Sequence, residues 1–224
     1  MNRHSLDKRI FYSVVRNGMR LITILFFRIR CTGRENWPKE GGGLACANHQ
    51  SFLDPLLVGL TCDRRMSYLA RKSLFKFGPI RSMTDYFHAI PVDRERGGLA
   101  GLKETLKRLK KQEMVLIFPE GTRTKDGQVR RLKPGFISLA RRSGVPLIPI
   151  GLDGAFQSWP RTQLLPWPQP LHVVIGKPLT QLEIKELDDE QLLAEMQKRV
   201  ELAFQKANSH KQHALFPKFR VDIS

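Results

Sequence analysis

A length of 224 residues suits one sizeable core and is short for two. Apolar (41%) and charged (26%) fractions are those of an ordinary folded domain, but 38 Lys and Arg against 21 Asp and Glu give a net charge of +17, so the surface seeks a polyanion, either nucleic acid or an anionic membrane. Cys31, Cys46 and Cys62 are an odd number at unpatterned spacings, with no Cys-x-x-Cys pair or Cys/His cluster, which excludes a recognisable metal site and fits a reducing compartment.

No small-residue cleavage site follows an apolar run near the N-terminus, so no secretory leader is expected. Residues 8–31 carry Ile10, Phe11, Val14 and Val15 and then the uncharged run Leu21–Phe27, bracketed by Arg16, Arg20, Arg28 and Arg30. At roughly 1.5 Å per residue that run covers only about a third of a bilayer core, so a spanning helix is not supported. The pattern predicts a membrane-interacting helical segment at the interface, its arginines reaching headgroup phosphates. A core-packed helix with arginine on its wet face is the alternative.

Trp37-Pro38 and Gly41-Gly42-Gly43 turn the chain into the main domain. Leu44–Ala47 predicts a short buried strand, and Pro55 fits the first turn of a helix. Residues 66–70 and 87–92 read as strands. Leu99, Leu102, Leu106 and Leu109 recur at three and four residues with Lys103, Lys107, Lys110 and Lys111 outside, which predicts an amphipathic helix over 98–112. Met114–Phe118 predicts a strand, 134–142 a helix, and 146–150 and 171–175 two further strands. The last long helix runs from about Asp189 to Ala207, with Leu192, Leu193, Met196, Val200, Ala203 and Phe204 as its stripe and Asp188 or Asp189 as its cap. Alternating strands and helices predict an α/β fold, a mixed central sheet covered by helices with some parallel pairing. The expected organisation is a helical segment over 1–31, a main domain over 32–208 and a basic tail over 209–224.

Asn48-His49-Gln50-Ser51-Phe52-Leu53-Asp54 follows a strand and opens a helix. A histidine takes a proton near neutral pH, and a carboxylate on its far ring nitrogen fixes the tautomer. Five residues on one helix would turn the two side chains about 140° apart, so the pair works only with His49 in the loop and Asp54 in the first helical turn. Spacing alone is weak: His88 and Asp93 share it, in a stretch that reads as extended, where they point to opposite faces. Phe118-Pro119-Glu120-Gly121-Thr122-Arg123 follows an apolar strand. Its glycine turn, Thr122 and Arg123 supply donors suited to phosphate oxygens, although a β-turn with a surface arginine has the same composition. Glu120 either orients Arg123 by a salt bridge or is solvated. Lys125, Arg130, Arg131 and Lys133 deepen the positive field. Arg94, in Ile90-Pro91-Val92-Asp93-Arg94, is a second phosphate candidate. Pro146 and Pro149 in Val145–Ile150 sit poorly in a central strand and suggest an edge or an apolar-chain wall; a core strand with a bend is the other reading.

Together these blocks resemble the glycerolipid acyltransferase family. Asn48–Asp54 looks like its Asn-His-x-x-x-x-Asp block and Phe118–Arg123 like its Phe-Pro-Glu-Gly-Thr-Arg block, with Ile90–Arg94 and Val145–Ile150 similar to two weaker blocks in the family's order. The resemblance covers roughly residues 30–180. It implies an α/β acyltransferase fold, acyl-CoA or acyl-ACP as donor, and a phosphate-bearing acceptor at the cytoplasmic face of the membrane. Lysophosphatidic acid, giving phosphatidic acid, is the default acceptor; glycerol 3-phosphate or another lysolipid is the alternative. His49 is the expected base, Asp54 its partner, Asn48 and Glu120 motif support, with Gly121, Thr122, Arg123 and Arg94 on the phosphate. No cofactor or metal is expected.

Rival chemistries are tested by the same residues. No Gly-x-Ser-x-Gly elbow is present, and nothing marks Ser51 as a nucleophile. A non-catalytic membrane-binding module would need only the charge and the N-terminal segment. Nucleic acid is not expected, since zinc-finger, basic-zipper and aromatic RNA-binding patterns are missing.

Overall fold

The computed structural model describes residues 14, 17–71, 90–92 and 99–215. Ile10, Phe11, His88, Asp93 and Arg94 lie outside the described residues. So does most of the strand expected over 87–92, of which Ile90–Val92 is described.

Five consecutive buried, uncharged residues form β2 (Gly43–Ala47), the pattern of a strand covered on both faces. It pairs in parallel with β5 (Met114–Ile117) on one side and β6 (Leu147–Asp153) on the other. β3 (Met66–Arg71) adds beside β5, and β4 (Ile90–Val92) beside β3, both parallel. Beyond β6, β7 (His172–Ile175) runs antiparallel, and β1 (Arg30–Thr32) lies parallel to β7. Among the described residues the sheet has seven strands in the order β1-β7-β6-β2-β5-β3-β4, the mixed sheet expected.

Side-chain alternation sorts the core into two layers. Leu44 and Cys46 face the cluster that holds Leu109 of α3 (Leu99–Lys110), Phe136 of α4 (Gly135–Ser143) and Met196 of α7 (Asp189–Leu215). Ala45 and Ala47 face the opposite cluster, with Trp37 and with Leu57 and Val58 of α2 (Asp54–Thr61). A Cβ on Gly151 of β6 would lie 2.1 Å from the Ala203 carbonyl carbon, so α7 crosses β6 at backbone contact.

Several expectations need correction. Arg30–Thr32 is a sheet strand rather than the end of the N-terminal helix, so the sheet begins inside the segment assigned to 1–31. Helix α1 (17–27) stops at Arg28, whose φ is +44°, and Leu171 N–H then donates to Phe27 O at 3.0 Å to start the sheet edge. Arg20 does not reach outwards. Its guanidinium donates to Leu60 O at 2.8 Å and Asp63 Oδ1 at 2.9 Å, pinning α1 to the end of α2. Helix α7 runs on to Leu215, past the expected stop at Ala207, and Asp188 caps it by exchanging hydrogen bonds with Gln191. Pro149 is not on an edge: β6 lies between β2 and β7. Its carbonyl accepts Gly176 N–H at 2.8 Å on the last rung of the β7 ladder, where a missing N–H costs least. Pro146 O accepts Leu44 N–H at the opposite end of the sheet from His49, and the core-strand reading is the one that fits both prolines.

Candidate active site

Strands β2, β5 and β6 run parallel and end side by side, so the loops that follow them meet at one edge of the sheet. Asn48, fully buried, behaves as an extra rung between the first of these loops and β6: its Nδ2 donates to Leu152 O at 2.9 Å and its Oδ1 accepts Leu152 N–H at 2.7 Å. His49 comes next and is clamped through its backbone. Its N–H donates to Glu120 Oε1 at 2.9 Å and its carbonyl accepts Thr124 N–H at 2.8 Å. Its ring stacks on Phe118, centroids 4.0 Å apart.

His49 lies in the loop and Asp54 is the first residue of α2, the arrangement the spacing requires. Nδ1 stands 2.7 Å from Asp54 Oδ2. The same oxygen accepts Gln50 N–H at 2.6 Å and Ser51 N–H at 2.7 Å, and the carboxylate is wholly buried. Three donors on one oxygen fix the carboxylate, and the carboxylate fixes the ring. With Nδ1–H given to Asp54, Nε2 is the nitrogen left to take a proton, on a side chain that keeps 20% of its surface exposed.

The rest of the loop is braced rather than reactive. Gln50 donates to Gly127 O at 2.9 Å and accepts Phe156 N–H at 3.3 Å. Ser51 is buried; its hydroxyl donates to Trp159 O at 2.9 Å and accepts Leu53 N–H at 3.2 Å, both contacts that brace the loop.

In the second block Gly121 adopts φ +75° and its N–H closes a turn onto Phe118 O at 2.9 Å. That amide is therefore spent on the turn. A Cβ here would meet Lys133 Nζ at 3.1 Å, which places this ammonium beside the turn. Thr122 and Arg123 are half-buried, and the Arg123 guanidinium lies 3.5 Å from the centroid of the Phe52 ring, a cation–π contact. Glu120 is buried rather than solvated. Burial pushes its carboxyl up to about 8; the His49 and Arg130 N–H groups pull the other way, and the negative charge of Asp54 adds to the rise. A carboxyl largely protonated at neutral pH is a hydrogen-bonding link between the two blocks, not the ion-pair partner of Arg123 suggested by composition.

Phe118, Phe52, Gln50 and Trp159 are the site neighbours that sequence reasoning missed, whereas Lys133, read there as part of the positive field, stands beside the Gly121 turn. Only the aromatics flanking His49 and Arg123 in the chain offered a signal. Among the described residues no three His, Cys, Asp or Glu side chains converge as a metal site, and no helix is long and apolar enough to cross a membrane.

A family model described as Acyltransferase matches residues 28–153, a span that holds His49, Asp54 and the whole Gly121 turn. The chain belongs to the acyltransferase family. This acyltransferase is 31% identical to the 1-acyl-sn-glycerol-3-phosphate acyltransferase of Bacillus subtilis, over 83% of its own length and 90% of the relative's. It is 34% identical to the protein of the same description from Pseudomonas aeruginosa, over 66% of this chain and 58% of that one. Its fold is that of the 1-acyl-sn-glycerophosphate (LPA) acyltransferase PlsC from Thermotoga maritima, with a TM-score of 0.79 at 24% identity, covering 93% of this chain and 84% of that one. The acyltransferase is thus an enzyme, and the non-catalytic module is set aside.

Proposed function

We propose that this acyltransferase moves a fatty acyl group from acyl-CoA or acyl-ACP to the free hydroxyl of lysophosphatidic acid, giving phosphatidic acid at the cytoplasmic face of the membrane. The observation that carries the chemistry is the 2.7 Å contact between His49 Nδ1 and a triply held Asp54, which leaves Nε2 as the base. Nε2 takes the acceptor's hydroxyl proton as that oxygen attacks the thioester carbonyl. The C–S bond then breaks, and the departing thiolate takes the proton back from the imidazolium. Asp54 orients the ring and offsets its transient charge. Thr122 and Arg123 hold the acceptor phosphate, with the Lys133 ammonium beside the turn adding to the field and Arg94 as a further contact. Gly121 contributes the shape of the turn. Neither a metal nor a bound cofactor enters the scheme. The acceptor rests on the names of the relatives and on Arg123 and Lys133 at the Gly121 turn.

The test is acyl transfer from long-chain acyl-CoA, and separately from acyl-ACP, to lysophosphatidic acid, with glycerol 3-phosphate and other lysolipids in parallel. His49→Ala is expected to lower kcat by about 10²–10⁴-fold or more. Ser51→Ala should retain most of the activity, since its hydroxyl serves only the loop. Undiminished turnover in His49→Ala, or a trappable acyl-serine at Ser51, would defeat direct transfer. Turnover only with another acceptor would keep the mechanism and change the substrate.

A further inference from the structure

Leu164 (87% exposed) and Leu165 (70%) are the two most exposed large apolar side chains among the described residues, and Trp167 (66%) stands beside them. They crown the loop between α5 (Ala155–Ser158) and β7. The loop is built to project. Pro160, Pro166, Pro168 and Pro170 each fix a φ angle, and the base is tied by Trp167 N–H to Ser158 O at 2.8 Å and Ser158 Oγ to Trp167 O at 2.8 Å. Three apolar residues held out in water cost hydrophobic free energy that collapse onto the protein would recover.

Both flanks of this loop matter. On one side Trp159 accepts the Ser51 hydroxyl and packs on Phe52 at 5.4 Å, and Phe52 in turn carries Arg123. On the other side Pro168 and Pro170 share a cleft with Leu25 and Phe26 of α1, whose outer face is itself apolar and exposed. Charge completes the pattern. Residues 8–34 and 154–182 contain no Asp or Glu, whereas Arg28, in the cleft with Pro168 and Pro170, and Arg161, three residues before Leu164, are exposed. Exposed leucines and a tryptophan, on a stretch of chain that carries Arg161 and no Asp or Glu, match the boundary between acyl chains and anionic headgroups.

We propose that the Leu164–Trp167 loop, outside α1, is a membrane-insertion point, and that it seats the Arg123 side of the active site on an anionic bilayer. The inference rests on the reading that the acceptor is a lipid. With the loop inserted, an acceptor reaches Arg123 and His49 from the bilayer surface without fully leaving it.

The test uses the full chain and the variant Leu164→Ser/Leu165→Ser/Trp167→Ser, with vesicles of phosphatidylglycerol and phosphatidylethanolamine. Co-sedimentation should weaken by about tenfold or more in the triple variant. Acyl transfer to vesicle-borne lysophosphatidic acid should fall in parallel, while transfer to a short-chain acceptor monomeric in solution stays at the wild-type rate. A second measurement avoids any question of folding: lipids brominated along the acyl chain should quench wild-type tryptophan emission, and Trp167→Phe should remove most of that quenching. Equal vesicle binding with unaltered quenching overturns the proposal. So does equal vesicle binding with self-association lost in the triple variant, which would assign the patch to a second copy of the chain. Wild type that binds and is quenched but transfers acyl groups to neither acceptor form overturns the proposed acceptor and supports the insertion.

Discussion

Glu120 shows how one side chain can join two sequence blocks. Its Oε1 holds the His49 N–H, and its carboxyl titrates at about 8 because it is buried. An ordinary unfolded glutamate releases its proton near 4.5. Between those values the folded chain holds a proton that the unfolded chain has lost. Its contribution to stability is therefore full below about 4.5 and is lost as pH rises through about 8. Glu120→Gln keeps the acceptor and cannot ionise, so urea unfolding at a series of pH values should show a flatter decline, the difference reaching at most about 1.4 kcal/mol per pH unit. An unchanged slope would mean that Glu120 is ionised in the fold. The residue also marks the limit of what could be read in advance. His49 and Asp54 were legible because their pairing is local, with Pro55 marking the helix start. The partner of Glu120 is a backbone N–H 71 residues away, and residue types carry no trace of such a bond.

At the scale of elements, glycines separate packing from backbone freedom. Gly151 of β6 lies under α7 with the Ala203 and Phe204 backbones 2.1 Å from where a Cβ would stand. Gly151→Ala should push helix from sheet and cost about 3 kcal/mol or more in denaturant unfolding. Gly59, inside α2, has nothing within 4 Å of a Cβ, so Gly59→Ala should raise stability by about 0.5–1 kcal/mol in the same assay. Equal effects would contradict the contact between α7 and β6. Most elements announced themselves by period: the stripe from Leu192 to Phe204, the leucines of α3, the unbroken apolar β2. Strand β1 did not, because Arg30-Cys31-Thr32 is too short to show alternation and owes its conformation to β7. Helix α6 (Gln181–Glu186) was readable and missed: Thr180 and Glu183 form a reciprocal capping box, a pattern visible in the sequence.

For the whole molecule the net charge of +17 predicts a measurable salt dependence. Raising ionic strength from 0.1 to 1 M shortens the screening length from about 10 to about 3 Å. Co-sedimentation with phosphatidylglycerol vesicles should drop across that range but not vanish, the remainder coming from exposed apolar side chains. Salt-independent binding would assign the affinity to apolar contacts alone. The architecture also bears on how the catalyst is born. His49 and Asp54 are five positions apart, but the braces on their loop come from 71 to 108 positions downstream: Glu120, Leu152, Phe156 and Trp159. A chain leaving the ribosome carries His49 and Asp54 as neighbours long before anything holds the loop that aims them. Non-local contacts of this kind form late, after roughly a hundred residues of intervening chain have been closed into a loop. The loop that carries His49 therefore gains its full set of braces only once Trp159 has been made and the sheet has closed.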